Sequence, residues 1–303
     1  MPLPRSAMTA QPAPDQNPGV QLTCPAPAKL NLFLHVTGRR PDGYHLLQTL
    51  FRFIDLQDTL HFSLREDGAI RRTNVLDGIP EEQDLCVRAA RLLQSETGCS
   101  LGVDITIDKH IPMGGGLGGG SSDAATVLIA LNRLWSLGLS RTRLMQLGLR
   151  LGADVPVFIF GENAFAEGVG EQLQACSLPD AWYVVLFPPV HVPTAQIFAH
   201  PELTRNAVSI TMRALSERRF GEESQFRNDL QPVVCELYPE VARYMGWLAE
   251  FGKATMTGSG ACVFAEFDNR NRAEAVIKQL PPGMRGVVAQ GLARHPLHDW
   301  VPD

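Results

Sequence analysis

The chain has no cysteine pairs at the spacing of a metal or redox site. Its six cysteines, Cys24, Cys86, Cys99, Cys176, Cys235 and Cys262, are scattered, with no Cys-x-x-Cys among them. They read as reduced thiols that fill core, not as a disulfide framework. No cluster of His, Cys and carboxylates suggests a tightly held metal. There is no basic block, and the net charge is −5 at pH 7, so the electrostatic footprint of a nucleic-acid binder is missing. No stretch reaches the roughly 18 apolar residues of a membrane-spanning helix. Residues 1 to 20 are rich in Pro, Gln and Ala, with Arg5 their only basic residue. They lack the apolar core of a signal peptide and the arginines of a transit peptide. The expectation is a disordered tail on a cytoplasmic protein, with neither a membrane nor a nucleic acid as partner.

What is present is an ordinary globular composition, 45% hydrophobic and 19% charged over 303 residues. That length suits one large or two medium domains. The most informative stretch is Pro112-Met113-Gly114-Gly115-Gly116-Leu117-Gly118-Gly119-Gly120-Ser121-Ser122, with six glycines in seven residues. Before it, Val103, Ile105 and Ile107 alternate with Asp104, Thr106 and Asp108, the pattern of a half-buried strand. After it, Val127, Leu128, Leu131, Leu134 and Trp135 fall on one face of a helix. A flexible linker is not flanked so closely by a strand and a helix. Glycines let backbone approach a ligand, Ser121 or Ser122 suits the helix N-cap, and a helix start offers N–H groups to a phosphate. No Gly-Lys-Ser/Thr follows, so this is not a Walker A loop, and a lone Gly-x-Gly is weak evidence for a Rossmann turn.

Elsewhere, Leu30, Leu32, Leu34 and Val36 alternate with Lys29, Asn31, Phe33 and His35, which predicts a strand with Lys29 and Asn31 on one face. Pro41-Asp42-Gly43 marks a turn, and Leu60, Phe62 and Leu64 predict a further strand. Asp84 caps a helix through Leu93, and Ser140 opens another that Gly152 closes. Asp154 caps a third, with Pro156 in its first turn. Around 162–170 the texture changes to glycine-punctuated strands, and the domain boundary is drawn there: 21–165 and 166–303. The second half reads as strands at 181–187, 254–257, 261–267 and 285–291. Its helices are predicted near 194–199, 207–218, 230–250 and 271–280, giving an α+β sandwich.

Together with the glycine loop, two further segments complete a pattern: Pro25-Ala26-Pro27-Ala28-Lys29-Leu30-Asn31-Leu32 and Thr257-Gly258-Ser259-Gly260-Ala261-Cys262. The three resemble the motifs of the GHMP kinase superfamily. Arg40-Pro41-Asp42-Gly43-Tyr44-His45 and Leu151-Gly152-Ala153-Asp154-Val155-Pro156-Val157-Phe158 make the likeness closest to its 4-diphosphocytidyl-2-C-methyl-D-erythritol kinase branch, over roughly residues 22 to 298. The resemblance implies an α+β, two-domain fold, with a nucleotide-binding domain, a smaller substrate domain and the active site in the cleft between them. It implies ATP, carrying Mg²⁺, as phosphoryl donor. The acceptor it implies is the 2-hydroxyl of a substrate with a cytidine diphosphate moiety, in the non-mevalonate route to isoprenoid precursors.

The resemblance also implies roles. Lys29 and Asp154 become the catalytic pair, Asp154 as base and Lys29 holding it ionised and steadying charge on the transferring group. Pro112 to Ser122, including Met113, Gly114, Gly115, Gly116, Leu117, Gly118, Gly119, Gly120 and Ser121, cradle the phosphates, and Ser121 or Ser122 touches magnesium. Lys109 and the Asp84-Leu85 pair face adenine, although the family pattern has Asn where Asp84 stands. Tyr44, His45 and Phe198 enclose cytosine, with Ala195 in place of a family proline. Asn31 contacts the erythritol part or the phosphates, and Thr257, Gly258, Ser259 and Gly260 close over the substrate side. Asp123 reads as a solvated helix-start acid or a water-mediated contact to magnesium. His61, His191 and His200 carry no motif and read as surface or structural. A homoserine- or mevalonate-type kinase, or a non-catalytic regulator on the same scaffold, are the competing readings.

Overall fold

A computed structural model of the chain describes residues 21–76, 78–211 and 226–303. The N-terminal tail and most of the helix expected over 207–218 lie outside the described residues. Residues 207–211 carry no helix.

Two strands, β1 (Gln21–Arg39) and β2 (His45–Arg65), form a long antiparallel hairpin around the Pro41-Asp42-Gly43 turn. They are much longer than the alternation suggested. Residues 26 to 36 of β1 are all buried, so the strand is covered on both faces and its polar alternates are not solvated. Register shifts at Pro27/Ala28, Asn31/Leu34 and Val36/Gly38 bend the strand and re-aim side chains along it. β3 (Ile70–Arg72) and β4 (Gly102–Asp108) extend the sheet on one side of β2. β5 (Ala164–Glu167) and β6 (Gln172–Ala175) extend it on the other.

Helices α1 (Leu85–Thr97), α2 (Gly119–Leu134), α3 (Arg141–Leu149) and α4 (Val155–Phe160) pack with this sheet around one core. The Asp84 carboxylate accepts the Cys86 and Val87 amides at 2.7 and 3.3 Å, and Ser140 Oγ accepts the Arg143 amide at 3.3 Å. Both caps stand where the sequence puts them. The second half holds a four-stranded antiparallel sheet ordered β10-β7-β9-β8: β7 (Trp182–Leu186), β8 (Thr255–Met256), β9 (Val263–Phe267) and β10 (Gly286–Gln290). Around it lie α5 (Thr194–Ala199), α6 (Gln231–Leu237), α7 (Pro239–Ala249) and α8 (Arg270–Ile277).

One expectation needs correction. The single helix expected over 230–250 is two, because Pro239 cannot continue the i→i−4 ladder and Tyr238 leaves helical backbone at φ −127°, ψ 82°. The first sheet runs past the boundary drawn at 165/166, since β5 and β6 pair onto it. The C-terminus also returns to the first half. The Leu292 amide donates to the Phe53 carbonyl at 2.8 Å, and Arg141 donates to the carbonyls of His298 and Val301. A third apolar cluster, including Leu30, Phe33, Ile54, Phe165, Tyr183 and Phe264, draws on both sheets and joins the halves.

Candidate active site

The N-terminus of α2 is built without a serine cap. Gly118 takes the N-cap place at φ 74°, with no side-chain cap bond. Ser122 is buried and its hydroxyl donates to the Pro27 carbonyl at 2.7 Å. The cap expected of Ser121 or Ser122 is therefore absent, and the helix-start amides of Gly119, Gly120 and Ser121 have no carbonyl one turn back to bind. A side chain is excluded where the loop passes its neighbours. A Cβ on Gly116, at φ +78°, would stand 2.2 Å from the Thr257 carbonyl oxygen. One on Gly118 would stand 2.9 Å from Phe158 Cζ and 3.1 Å from Lys29 Cε.

Lys29, only 2% exposed, ends beneath this loop. Its Nζ donates to Asn31 Oδ1 at 2.5 Å and to the Gly116 carbonyl at 2.9 Å, and lies 3.3 Å from Asp154 Oδ2. The Asp154 side chain makes no cap bond to its own helix, which leaves the carboxylate beside Lys29. Asn31 is oriented in turn by Thr49, to which its Nδ2 donates at 2.8 Å, while its backbone amide donates to Thr257 Oγ1 at 2.9 Å. The 257–262 loop is fixed by Asn228, whose Nδ2 donates to the Met256 and Gly258 carbonyls, and by the Cys262 amide donating to the Gly115 carbonyl.

These elements surround one cleft of about 1200 Å³. Every site residue expected from the sequence lines it except Ser122 and Thr257, which are buried behind it. Tyr44, His45 and Phe198 stand together on its wall. The His45 and Phe198 rings are 4.9 Å apart at 31°, and Tyr44 is largely exposed. Thr194 and Ser259, both on the cleft, meet through their hydroxyls at 2.7 Å.

Asp84 and Leu85 line the cleft, but Asp84 has both oxygens engaged. Oδ1 caps α1, and Oδ2 accepts from Arg72 Nη1 at 2.7 Å. Where the family pattern has Asn, this carboxylate thus answers a buried guanidinium. Asp123 is not a solvated acid. It is 3% exposed and accepts from Lys109 Nζ at 2.7 Å. Lys109 also pairs with Asp58, whose Oδ1 takes the His110 and Ile111 amides at 2.6 and 2.8 Å. One ammonium faces two carboxylates, and Asp58 has the richer set of donors. Asp123 Oδ1 is buried without a partner. Burial pushes Asp123 up to about 8, Lys109 opposes that, and Asp58 adds to it. Burial also lowers Lys109, but the two carboxylates outweigh it and hold the ammonium above its ordinary value.

The sequence reading missed Asp58, Asn228 and His191. His191 lies against Gly114 and lines the cleft. Its only local signal is its place two residues before Pro193. His61 pairs with Asp108 at 3.0 Å, and His200 ends α5.

Residues 84–162 match the model of the GHMP kinases N terminal domain, and residues 211–284 that of the GHMP kinases C terminal. A 4-diphosphocytidyl-2-C-methyl-D-erythritol kinase of Thiobacillus denitrificans is 62% identical over 279 residues, 92% of this chain and 98% of that protein. The one from Nitrosospira multiformis is 60% identical over 284 residues, 93% of this chain and 95% of the relative. The chain belongs to the GHMP kinase family. A crystal structure of 4-(cytidine 5'-diphospho)-2C-methyl-D-erythritol kinase superposes with a TM-score of 0.74 at 35% identity, over 89% of this chain and 99% of that one. The likeness runs through both halves of this GHMP kinase, which therefore has the two-domain α+β architecture. A kinase of this family uses ATP. No helix among the described residues is long and apolar enough to cross a membrane.

Proposed function

We propose that this kinase transfers the γ-phosphoryl group of ATP to the 2-hydroxyl of 4-diphosphocytidyl-2-C-methyl-D-erythritol, in the cytoplasmic methylerythritol phosphate route. The observation that carries the chemistry is the buried Lys29 between the Asp154 carboxylate and the Gly116 carbonyl of the glycine loop, all on one cleft. The substrate is supported by the names of relatives some 60% identical over most of the chain. A homoserine or mevalonate acceptor has no use for the paired His45 and Phe198 rings.

Phosphoryl transfer asks mainly for positioning and charge stabilisation. The α2 amides and glycine loop hold the phosphates. The 2-hydroxyl oxygen bonds to the γ-phosphorus while the bond from that phosphorus to the β–γ bridging oxygen breaks, and ADP leaves. Asp154 accepts the hydroxyl proton. Lys29 keeps that carboxylate in place and puts positive charge beside the transferring group. Phe198 and Tyr44 offer faces to the cytosine, and Asn31 and the 258–260 loop lie toward the acceptor alcohol. Among the described residues no group of three or more His, Cys, Asp or Glu could hold a metal ion. Mg²⁺ would arrive on ATP and needs few protein ligands; Ser121, which lines the cleft, would meet it there, and the bound ion would supply neutralisation of phosphate charge.

The test is ADP release by the purified protein with ATP, Mg²⁺ and the cytidylated alcohol, with homoserine and mevalonate in parallel. Turnover with the cytidylated alcohol alone is the expected result. Turnover with another alcohol only, or with none, overturns the assignment.

A further inference from the structure

Arg205 lies in the loop after α5, half-buried, behind the aromatic wall of the cleft. Its Nη2 donates to the Phe198 and His200 carbonyls at 3.0 and 2.7 Å, and its Nη1 to those of Leu203 and Pro201 at 3.1 and 3.4 Å. Its Nε donates to His45 Nε2 at 3.2 Å. One planar cation thus ties the end of α5, which carries Phe198, to the first residue of β2. A guanidinium has five N–H donors and no acceptor, and it stays protonated. His45 Nε2 is therefore the acceptor of this bond. A neutral imidazole that accepts at Nε2 carries its proton on Nδ1, and His45 Nδ1 has no hydrogen-bond partner among the described residues.

We propose that Arg205 is a positioning residue for pyrimidine recognition: it locks His45 as the neutral Nδ1–H tautomer, so that the ring offers a donor to the base and stays set against Phe198. The proposal rests on reading His45 and Phe198 as the cytosine pocket. Cytosine carries two adjacent acceptors, O2 and N3, whereas uracil has an N–H at N3. A ring with a fixed donor favours the first edge, and a ring free to change tautomer discriminates less. The charges around His45 point the same way. Burial, then Arg205, then Arg39 at the end of β1, all lower its proton affinity. Arg39 is itself anchored on the Gly43 carbonyl, and Asp42 in the turn is taken by Arg40 at 2.7 Å. Tyr44, the residue before His45, contributes a phenol.

The experiment starts on the ligand-free wild-type protein, with long-range ¹⁵N–¹H imidazole spectra across pH 5–8. The expected spectrum shows His45 with Nδ1–H and Nε2 unprotonated, titrating below the ordinary value of about 6.5. In Arg205→Gln the ring is expected to populate both tautomers and titrate nearer that value. The KM for the cytidylated alcohol rises about tenfold, the worth of one well-made hydrogen bond. The kcat stays within about twofold. The preference for the cytidine over the matching uridine substrate narrows by a similar factor. A wild-type His45 with its proton on Nε2 overturns the proposal even if the variant fails to fold. So does a folded Arg205→Gln whose KM rises while the His45 spectrum is unchanged. A wild-type protein that ignores the cytidylated alcohol overturns the substrate reading instead, and that is seen before any variant is made.

Discussion

Replacing Asp154 by Asn separates the chemistry from the fold. The two side chains are nearly isosteric, and Asn has no basic oxygen for the proton of the attacking hydroxyl. Removing a positioned general base typically costs about 10²–10⁴ in rate, or about 2.7–5.5 kcal/mol of barrier. The structural cost is small. The Asp154 side chain is 39% exposed, makes no cap bond, and touches one charge, Lys29 at 3.3 Å. Such a half-exposed pair contributes about 0–1 kcal/mol. Lys29 keeps its bonds to Asn31 and Gly116, so it is not left buried without acceptors. The melting temperature should therefore move by less than about 3 °C. In a coupled ADP-release assay, kcat should fall at least about 100-fold. The KM for ATP should stay within about threefold, because the glycine loop and α2 amides are untouched. Turnover within about tenfold of wild type, from protein with an unchanged melting temperature, refutes the assignment of the base.

Gly116→Ala forces a Cβ onto the Thr257 carbonyl at a positive φ. Stability should drop by about 1–3 kcal/mol, and kcat/KM by more than stability alone explains, because a shift of residue 116 away from Thr257 also moves its own carbonyl, the one that Lys29 binds; thermal melts and kinetics on one preparation check this. Asp123 is an acid whose folded value, about 8, lies above its unfolded value of about 3.9. The folded state therefore binds the extra proton between these limits, and wild type loses stability as pH rises from about 4 through 8. Asn cannot ionise, so the melting temperature of Asp123→Asn relative to wild type should rise between pH 5 and pH 8; a flat difference refutes the burial argument. His295 is the opposite case. Burial first, then the charges of His298 and Arg141, lower its imidazole to about 3, so the unfolded chain takes up the proton first and stability falls as pH drops below about 6.5. His295→Gln should flatten the melting temperature between pH 6.5 and 4, and an unchanged slope would show that other groups govern acid unfolding.

Much of the site was legible because its chemistry is local. The glycine run before a helix, the Lys29-Leu30-Asn31 alternation and the Asp84 and Ser140 caps depend on neighbours within a few residues. What could not be read depends on partners far away in sequence. Ser122 has the right position for a cap, yet its hydroxyl is taken by Pro27, 95 residues earlier, and a glycine in left-handed backbone caps in its place. With α2 beginning four residues earlier, at Gly119, Asp123 is not in the first turn where it looked solvated. It is buried because β2 brings Asp58 to the same lysine. β5 and β6 carry no mark of which sheet they join, and His191 carries no motif at all.

The three motif segments, Pro25–Leu32, Pro112–Ser122 and Thr257–Cys262, show why position in sequence understates the site. Read singly, they are a strand and two loops. In the fold they are one packed unit: the Lys29 amide donates to the Leu117 carbonyl, the Lys29 ammonium and Thr257 hydroxyl both donate to the Gly116 carbonyl, and the Cys262 amide donates to the Gly115 carbonyl. The glycine loop is thus held by β1 on one side and by the 257–262 loop of the other half on the other. A glycine loop is entropically costly to order, and its amides stabilise a transferring phosphoryl group only if they are already in place. Supplying that order from both halves makes the loop's geometry depend on how the halves meet. Substitutions that loosen their shared cluster, such as Tyr183→Ala or Phe264→Ala, are for that reason expected to lower kcat although neither residue lines the cleft.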